Sequence, residues 1–242
     1  MMVGTNESRY GWMDEGFNSF MNILSGADVQ EKPYNLNGLG QNYGKRSGSE
    51  DEATMMWAAN HAGRGYGFQT YGKASLMLSM LGGIVGDEKM IAAMKKYTAT
   101  WAFKHPSPWD YLFFMNNELD QNLEWFWYYW LWTTESVDGS IQEVTLNNNG
   151  AKVIVHQAGQ MPSPVVLKIE FATNDTPLKS MPNVEIIDKN TAIVTWPADV
   201  WFGGSRTFEA NLNFGDREIL KITLDPQRRF PDSDSTDNIW EK

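Results

Sequence analysis

The stretch "WLWTTESVDGSIQEVTL" (Trp130 to Leu146) is where the chain changes its period. Up to about Ser136 apolar residues recur at helical spacing, and from about Val137 they alternate one in, one out. Two kinds of architecture therefore follow one another, a helical lobe over 1–136 and a β unit over 137–242.

Upstream, each segment carries its own helical signals. "GDEKMIAAMKKYTATW" places an N-cap at Asp87 and a stripe of Met90, Met94, Tyr97 and Trp101. "HPSPWDYLFFMNN" offers Ser107 as N-cap, Pro108 at the first helical position and Asp110 three beyond the cap. "DQNLEWFWYYWLWTT" reads as an aromatic helix capped near Asp120. The segment Tyr71 to Leu81 is apolar on nearly every face, which predicts burial. A short helix is expected around Glu52 to His61. Before it, "YNLNGLGQNYGKRSGSEDE" reads as a long exposed loop, of a length that is often functional.

Downstream, "IQEVTL" and "AKVIVHQ" flank "NNNG" (Asn147 to Gly150), a hairpin signal. "VVLKIEF", "VEII" and "TAIVTW" follow, the last two around a turn at Asp188 to Asn190. "TFEANLNF" and "EILKITL" then alternate around Gly215. About seven short strands with no helix between them predict an antiparallel β-sandwich. The fold class is thus multidomain, α followed by all-β.

Composition narrows the function. The 242 residues are 42% hydrophobic with 11 Trp and 13 Met, ample for a packed core. A net charge of −10 argues against a nucleic-acid or anionic-membrane surface. No apolar run reaches the roughly 18–20 residues of a membrane span, and no basic-then-apolar signal peptide opens the sequence. With no Cys there is no disulfide or thiolate metal site, and His61, His105 and His156 lack metal-ligand spacing.

One helix carries a question of its own. In "YGWMDEGFNSFMN" (Tyr10 to Asn22) the residues Met13, Phe17, Phe20, Met21 and Leu24 form an apolar stripe. Glu15 falls opposite, with Asn18, Ser19 and Asn22, and periodicity alone gives that face to water.

Sequence likeness gives it more. "GWMDEGF" resembles the W-[LM]-N-E-G-F segment of the aminopeptidase N-like zinc metallopeptidases, a gluzincin family, with Asp14 in place of the usual Asn. "TYGKA" resembles their Y-x-K-G, with Tyr71 and Lys73 matched and Ala74 replacing the usual Gly. The segment through "LEWFWYYW" is similar to the helical tail of their thermolysin-like catalytic domain. "ILKITLDPQRRFPDSDSTDNIW" is similar to the end of the β-sandwich that follows it in short bacterial members.

The resemblance implies a peptide hydrolase in which Glu15 is the third zinc ligand and Tyr71 donates its phenol to the oxyanion. Tyr66, five residues earlier, is a possible substrate contact. Family members place the third ligand about eighteen residues after the second His of H-E-x-x-H, and only fourteen residues precede Glu15. Both His ligands, the general-base Glu and the G-x-M-E-N segment that recognises a free amino end are absent from the sequence. The expectation is a C-terminal portion of such an enzyme, cut at an expression boundary or by a misplaced gene start. The intact protein would hold zinc and a peptide substrate. This chain alone is expected to hold no zinc and to hydrolyse nothing. It should also expose apolar area toward its missing N-terminal half. Bacterial members of this type are often exported, which makes a periplasmic or extracellular location the implied one.

Other readings stand beside it. A non-catalytic binding or scaffolding protein, or a pseudoenzyme, would use the aromatic helix Trp125 to Trp132 or the sheet surface. An all-round aromatic helix is more often core, and burial of Trp127 and Trp130 discriminates. "PDSDSTD" (Pro231 to Asp237) could be read as a Ca²⁺ loop, but without the Gly and distal Glu of an EF-hand it reads as a solvated acidic terminus.

Overall fold

The change of period falls where the chain divides into two compact units, 1–135 and 136–242. The structure, a computed structural model, describes residues 2–57 and 63–242. It is a mixed α + β chain, helices first and antiparallel sheets after, as the two periods predict.

In the helical unit, Asn6 caps α1 (Glu7–Gly11) by accepting from the Arg9 amide at 3.1 Å. A π-helical turn, Trp12–Gly16, joins it to α2 (Phe17–Val29). After the short α3 (Gln41–Gly44), a second π turn, Phe68–Lys73, leads directly into α4 (Ala74–Val85). Next come α5 (Asp87–Trp101), α6 (Pro108–Leu119) and α7 (Glu124–Trp132). Each π turn inserts an extra residue into its helix. The 100° wheel therefore slips in phase at Trp12: Trp12, Met13 and Phe20 are buried, whereas Met21 of the expected stripe is exposed. Tyr111 centres the core, with Tyr97 at 5.0 Å, Trp127 at 5.8 Å and Trp12 at 6.2 Å between ring centroids.

The Ser107–Asp110 capping box forms as expected, with Pro108 at its start. Four other expectations are corrected. Asp120 does not cap α7; it ends α6 in the left-handed region (φ 51°), and α7 begins at Glu124. Gly86 (φ 96°), not Asp87, sits at the cap of α5, because only the glycine takes that backbone without strain. Residues 52–57 form no helix, and the rest of the helix expected to His61 lies outside the described residues. The Gly/Asn-rich loop is not simply exposed: Leu36 and Tyr43 are buried, and Ser79 donates to the Leu36 carbonyl at 3.0 Å.

In the second unit, β1 (Gly139–Asn147) and β2 (Gly150–Gln157) pair as the Asn-Gly hairpin predicts, with Asn147 opposite Gly150. The remaining strands are β3 (Val165–Phe171), β4 (Val184–Asp188), β5 (Thr191–Trp196), β6 (Thr207–Asn213), β7 (Ile219–Leu224) and β8 (Ile239–Glu241). One sheet has the order β1-β2-β6 and the other β4-β5-β3-β7-β8, every ladder antiparallel. The chain changes sheets between β6 and β7, at Gly215 (φ 78°). Val153 and Val155 of β2, Leu167 and Ile169 of β3, and Leu212 of β6 share one apolar core with Ile222 of β7. An eighth strand lies beyond the seven expected. It follows the acidic segment, which is not solvated throughout: Asp232 is buried at 9% exposure.

Candidate functional site

The two π turns face each other, and small residues let them meet. A Cβ on Gly16 would overlap the Cβ of Ala74 and lie 2.8 Å from the Thr70 carbonyl oxygen. A Cβ on Gly11 would lie 3.2 Å from the Thr70 methyl and 3.6 Å from the Tyr66 hydroxyl. The first turn presents Asp14 and Glu15 and the second presents Tyr71. π turns inside helices recur at functional sites because they re-aim side chains that an α-turn would bury or scatter.

Glu15 and Tyr71, the two principal site residues expected from sequence, come together here. Tyr71 is 39% exposed, and its phenol is pushed up to about 12, first by hydrogen bonding to Glu15 and then by partial burial and the Glu15 charge. The phenol therefore keeps its proton across the neutral range. Tyr66 joins them edge-on, its ring centroid 6.4 Å from that of Tyr71. Asp14 also belongs to this cluster: burial raises its pKa, and the charges of Glu15 and Glu7 raise it further. A cavity of about 460 Å³ opens beside the carboxylates, lined among others by Met13, Asp14, Glu15, Phe17, Met21 and Met94.

Behind Tyr71 lies a cluster that the sequence reading missed. The Lys73 ammonium sits 2.8 Å from Glu52 Oε1 with both side chains fully buried, and donates to the Thr133 carbonyl at 2.8 Å. Burial pulls the Lys73 pKa down while Glu52 pulls it back up. Tyr43 donates to Glu52 Oε1 at 2.9 Å, and the Gly48 amide donates to Oε2 at 2.7 Å. The available signal was Lys73 itself, a lysine heading an otherwise apolar helix. Nothing local marks Glu52 as its partner.

The remaining candidates lie elsewhere. His105 Nδ1 is 2.8 Å from the Gly4 carbonyl, His156 lies in β2, and His61 falls outside the described residues. Among the described residues no three His, Cys, Asp or Glu side chains converge to hold a metal ion. No helix among them is long and apolar enough to cross a membrane. Trp127 and Trp130 are 3% and 0% exposed, so these two tryptophans belong to the core.

No protein-family model matches the chain, and no curated protein matches it in sequence. Its fold does match a crystal structure of Legionella pneumophila aminopeptidase A in complex with aspartic acid. The TM-score is 0.62 at 14% identity, over 96% of this chain and 24% of that one. The chain spans about a quarter of that protein's length, and what the two share is the fold.

Proposed function

We propose that the helical unit supplies one zinc ligand and the oxyanion donor of an aminopeptidase-type metallopeptidase centre. The observation that carries this reading is the meeting of Glu15 and Tyr71 across two packed π turns. The fold likeness to an aminopeptidase supports the same reading.

The described residues fit one corner of a zinc site. A catalytic zinc takes about three protein ligands and keeps one position open, and among the described residues this cluster offers two adjacent carboxylates, Asp14 and Glu15, of which Glu15 is the assigned ligand. Its two imidazole partners would come from outside these 242 residues. Zinc, when bound, supplies a Lewis acid that lowers the pKa of a coordinated water.

The chain's own residues do the rest of what is assigned here. Glu15 places its carboxyl group at the cleft. Tyr71, its phenol raised to about 12, stays protonated at neutral pH and keeps an O–H to donate. Such a donor favours a tetrahedral oxyanion over the planar carbonyl that precedes it. The substrate class is a peptide.

The test has two arms. The chain alone, purified and analysed for metal, is expected to carry no zinc bound by Glu15 and to cleave no peptide. Near-stoichiometric zinc lost on Glu15→Gln would overturn the one-corner assignment. Joined to a segment bearing H-E-x-x-H at the family spacing, the chain is expected to bind zinc and hydrolyse peptides. In that protein Tyr71→Phe should keep the metal and lose about 10²–10³ in kcat, while Glu15→Gln loses the metal. A Tyr71→Phe variant with unchanged kcat would remove the phenol from the mechanism.

A further inference from the structure

The turn that carries Tyr71 is gripped at both ends by one cluster. Phe68, its first residue, stacks on Tyr43 at 5.6 Å and 22°. Lys73, its last, places its ammonium 5.3 Å from the centroid of that same Tyr43 ring and 2.8 Å from Glu52. Tyr43 is in turn fixed by Trp130 on its ring at 5.6 Å and by its hydroxyl bond to Glu52. Arg46 covers the Phe68 ring at 4.4 Å.

A π turn holds one residue more than the α-turn it replaces, and it persists where surrounding contacts hold it. On its C-terminal side α4 is anchored in the core, with Ala74, Met77, Leu78 and Leu81 fully buried. Relaxation to α geometry would therefore be taken up on the N-terminal side. Tyr71 would swing around the helix axis by up to one residue's rotation, about 100°, and leave Glu15. Neither Tyr43, Glu52 nor Lys73 has Glu15 or Tyr71 among its hydrogen-bond partners.

We propose that the Tyr43–Glu52–Lys73 cluster is a positioning clamp that holds turn 68–73 in its π form and so keeps Tyr71 against Glu15. Its value to catalysis rests on the zinc-site reading of those two residues. Its effect on their placement does not.

The experiment uses the chain without metal or substrate. The sequence contains no cysteine, so Glu15→Cys/Tyr71→Cys with a short flexible bis-thiol reagent reports their approach. Hydrogen exchange of the 66–74 peptide reports the turn, with α5 as internal reference. Lys73→Met is expected to slow cross-linking at least tenfold and to speed exchange in 66–74 at least tenfold, leaving α5 unchanged. Lys73→Arg, which keeps the charge, should restore much of the cross-linking. Should Lys73→Met fail to fold, Glu52→Leu/Lys73→Met carries the test. There the apolar pair should restore the melting temperature but not the cross-linking. Unchanged cross-linking in a folded variant overturns the clamp, as does exchange that rises equally in α5. Neither result touches the zinc reading, whose own failure shows in metal content and in Tyr71→Phe.

Discussion

Gly16 and Ala74 meet so closely that a methyl group on the glycine would overlap the Ala74 Cβ. Gly16 has ordinary helical angles (φ −70°, ψ −43°), so nothing in its own backbone requires glycine. By propensity alone, alanine there would stabilise the helix by about 1 kcal/mol. Overpacking at a contact this close costs about 1–3 kcal/mol, and the Thr70 carbonyl blocks the alternative shift. Gly16→Ala is therefore expected to lower the melting temperature followed by circular dichroism. Gly16→Ala/Ala74→Gly should recover part of the loss, and a single variant as stable as the parent would refute the close approach.

In the sheet unit, pH dependence comes from two buried carboxyls. Asp232 is raised from 3.8 to about 7, chiefly by burial and further by Asp138 and Asp237, against hydrogen bonds from Asn238 and the Asp234 amide that lower it. Asp225, which accepts from the Arg229 and Phe230 amides, is raised to about 6, again by burial. Raised carboxyls bind their protons more tightly folded than unfolded. Their contribution is thus complete below pH 3.8 and is lost as pH rises through about 6 and 7. Each group contributes a slope of at most about 1.4 kcal/mol per pH unit. Asp232→Asn mimics the protonated form, and Asn238 can turn its partnerless Oδ1 toward the new amide. The variant should exceed the parent in urea midpoint at pH 8 and lose that advantage by pH 4. An advantage independent of pH would show that Asp232 does not titrate in this window.

What was legible in the sequence was mostly local. The Ser107–Pro108–Asp110 box and the Asn147–Gly150 hairpin are written in consecutive residues, and both form where expected. β3 alternates buried and half-buried without exception, as its Leu, Lys, Ile, Glu pattern requires. What was illegible depends on distant partners. A single 100° wheel cannot register the extra residue of a π turn, so it puts the exposed Met21 on the apolar stripe and leaves the buried Trp12 off it. Asp120 has the chemistry of an N-cap, yet α6 ends on it because the left-handed conformation also suits Asp. Lys73 and Glu52 are 21 residues apart, and only the fold makes them a pair. For the site itself, resemblance rather than periodicity singled out Glu15 and Tyr71, since a half-buried Glu on a polar face carries no local mark.

The aromatic helix α7 divides into inward and outward residues that substitution should separate. Trp130 is fully buried against Phe126 and Tyr43, and Trp127 donates its indole N–H to Asn116 Oδ1 at 2.8 Å. Trp130→Ala should cost about 3–5 kcal/mol. Trp127→Phe keeps most of the packing and removes the hydrogen bond, for about 1–2 kcal/mol. Tyr128, 56% exposed, should change stability by less than about 0.5 kcal/mol on conversion to Ala. Chemical denaturation of the three variants checks the order. A Tyr128→Ala loss as large as that of Trp130→Ala would mean that the outer face of α7 is covered too.

Arg217 gives the sheet unit a comparable anchor without a carboxylate. It is 4% exposed, and its guanidinium donates to the carbonyls of Thr176 (2.5 Å), Lys189 (3.1 Å) and Ala172 (2.9 Å) and to Asn190 Oδ1 (2.8 Å). Its carbon lies 5.5 Å from the Phe171 ring centroid. One planar fork thus joins the segment after β3 to the turn between β4 and β5. A lysine has a single ammonium and cannot span four acceptors set around a plane. Arg217→Lys should therefore lose stability almost as Arg217→Met does, by about 2–5 kcal/mol, since each hydrogen bond made by a charged group contributes about 1.5–3 kcal/mol. Hydrogen exchange should rise first at the amides of 172–176 and 188–190, ahead of the β2 and β6 ladder. If Arg217→Lys proves as stable as the parent, charge alone suffices there and the fork geometry is not what ties these loops together.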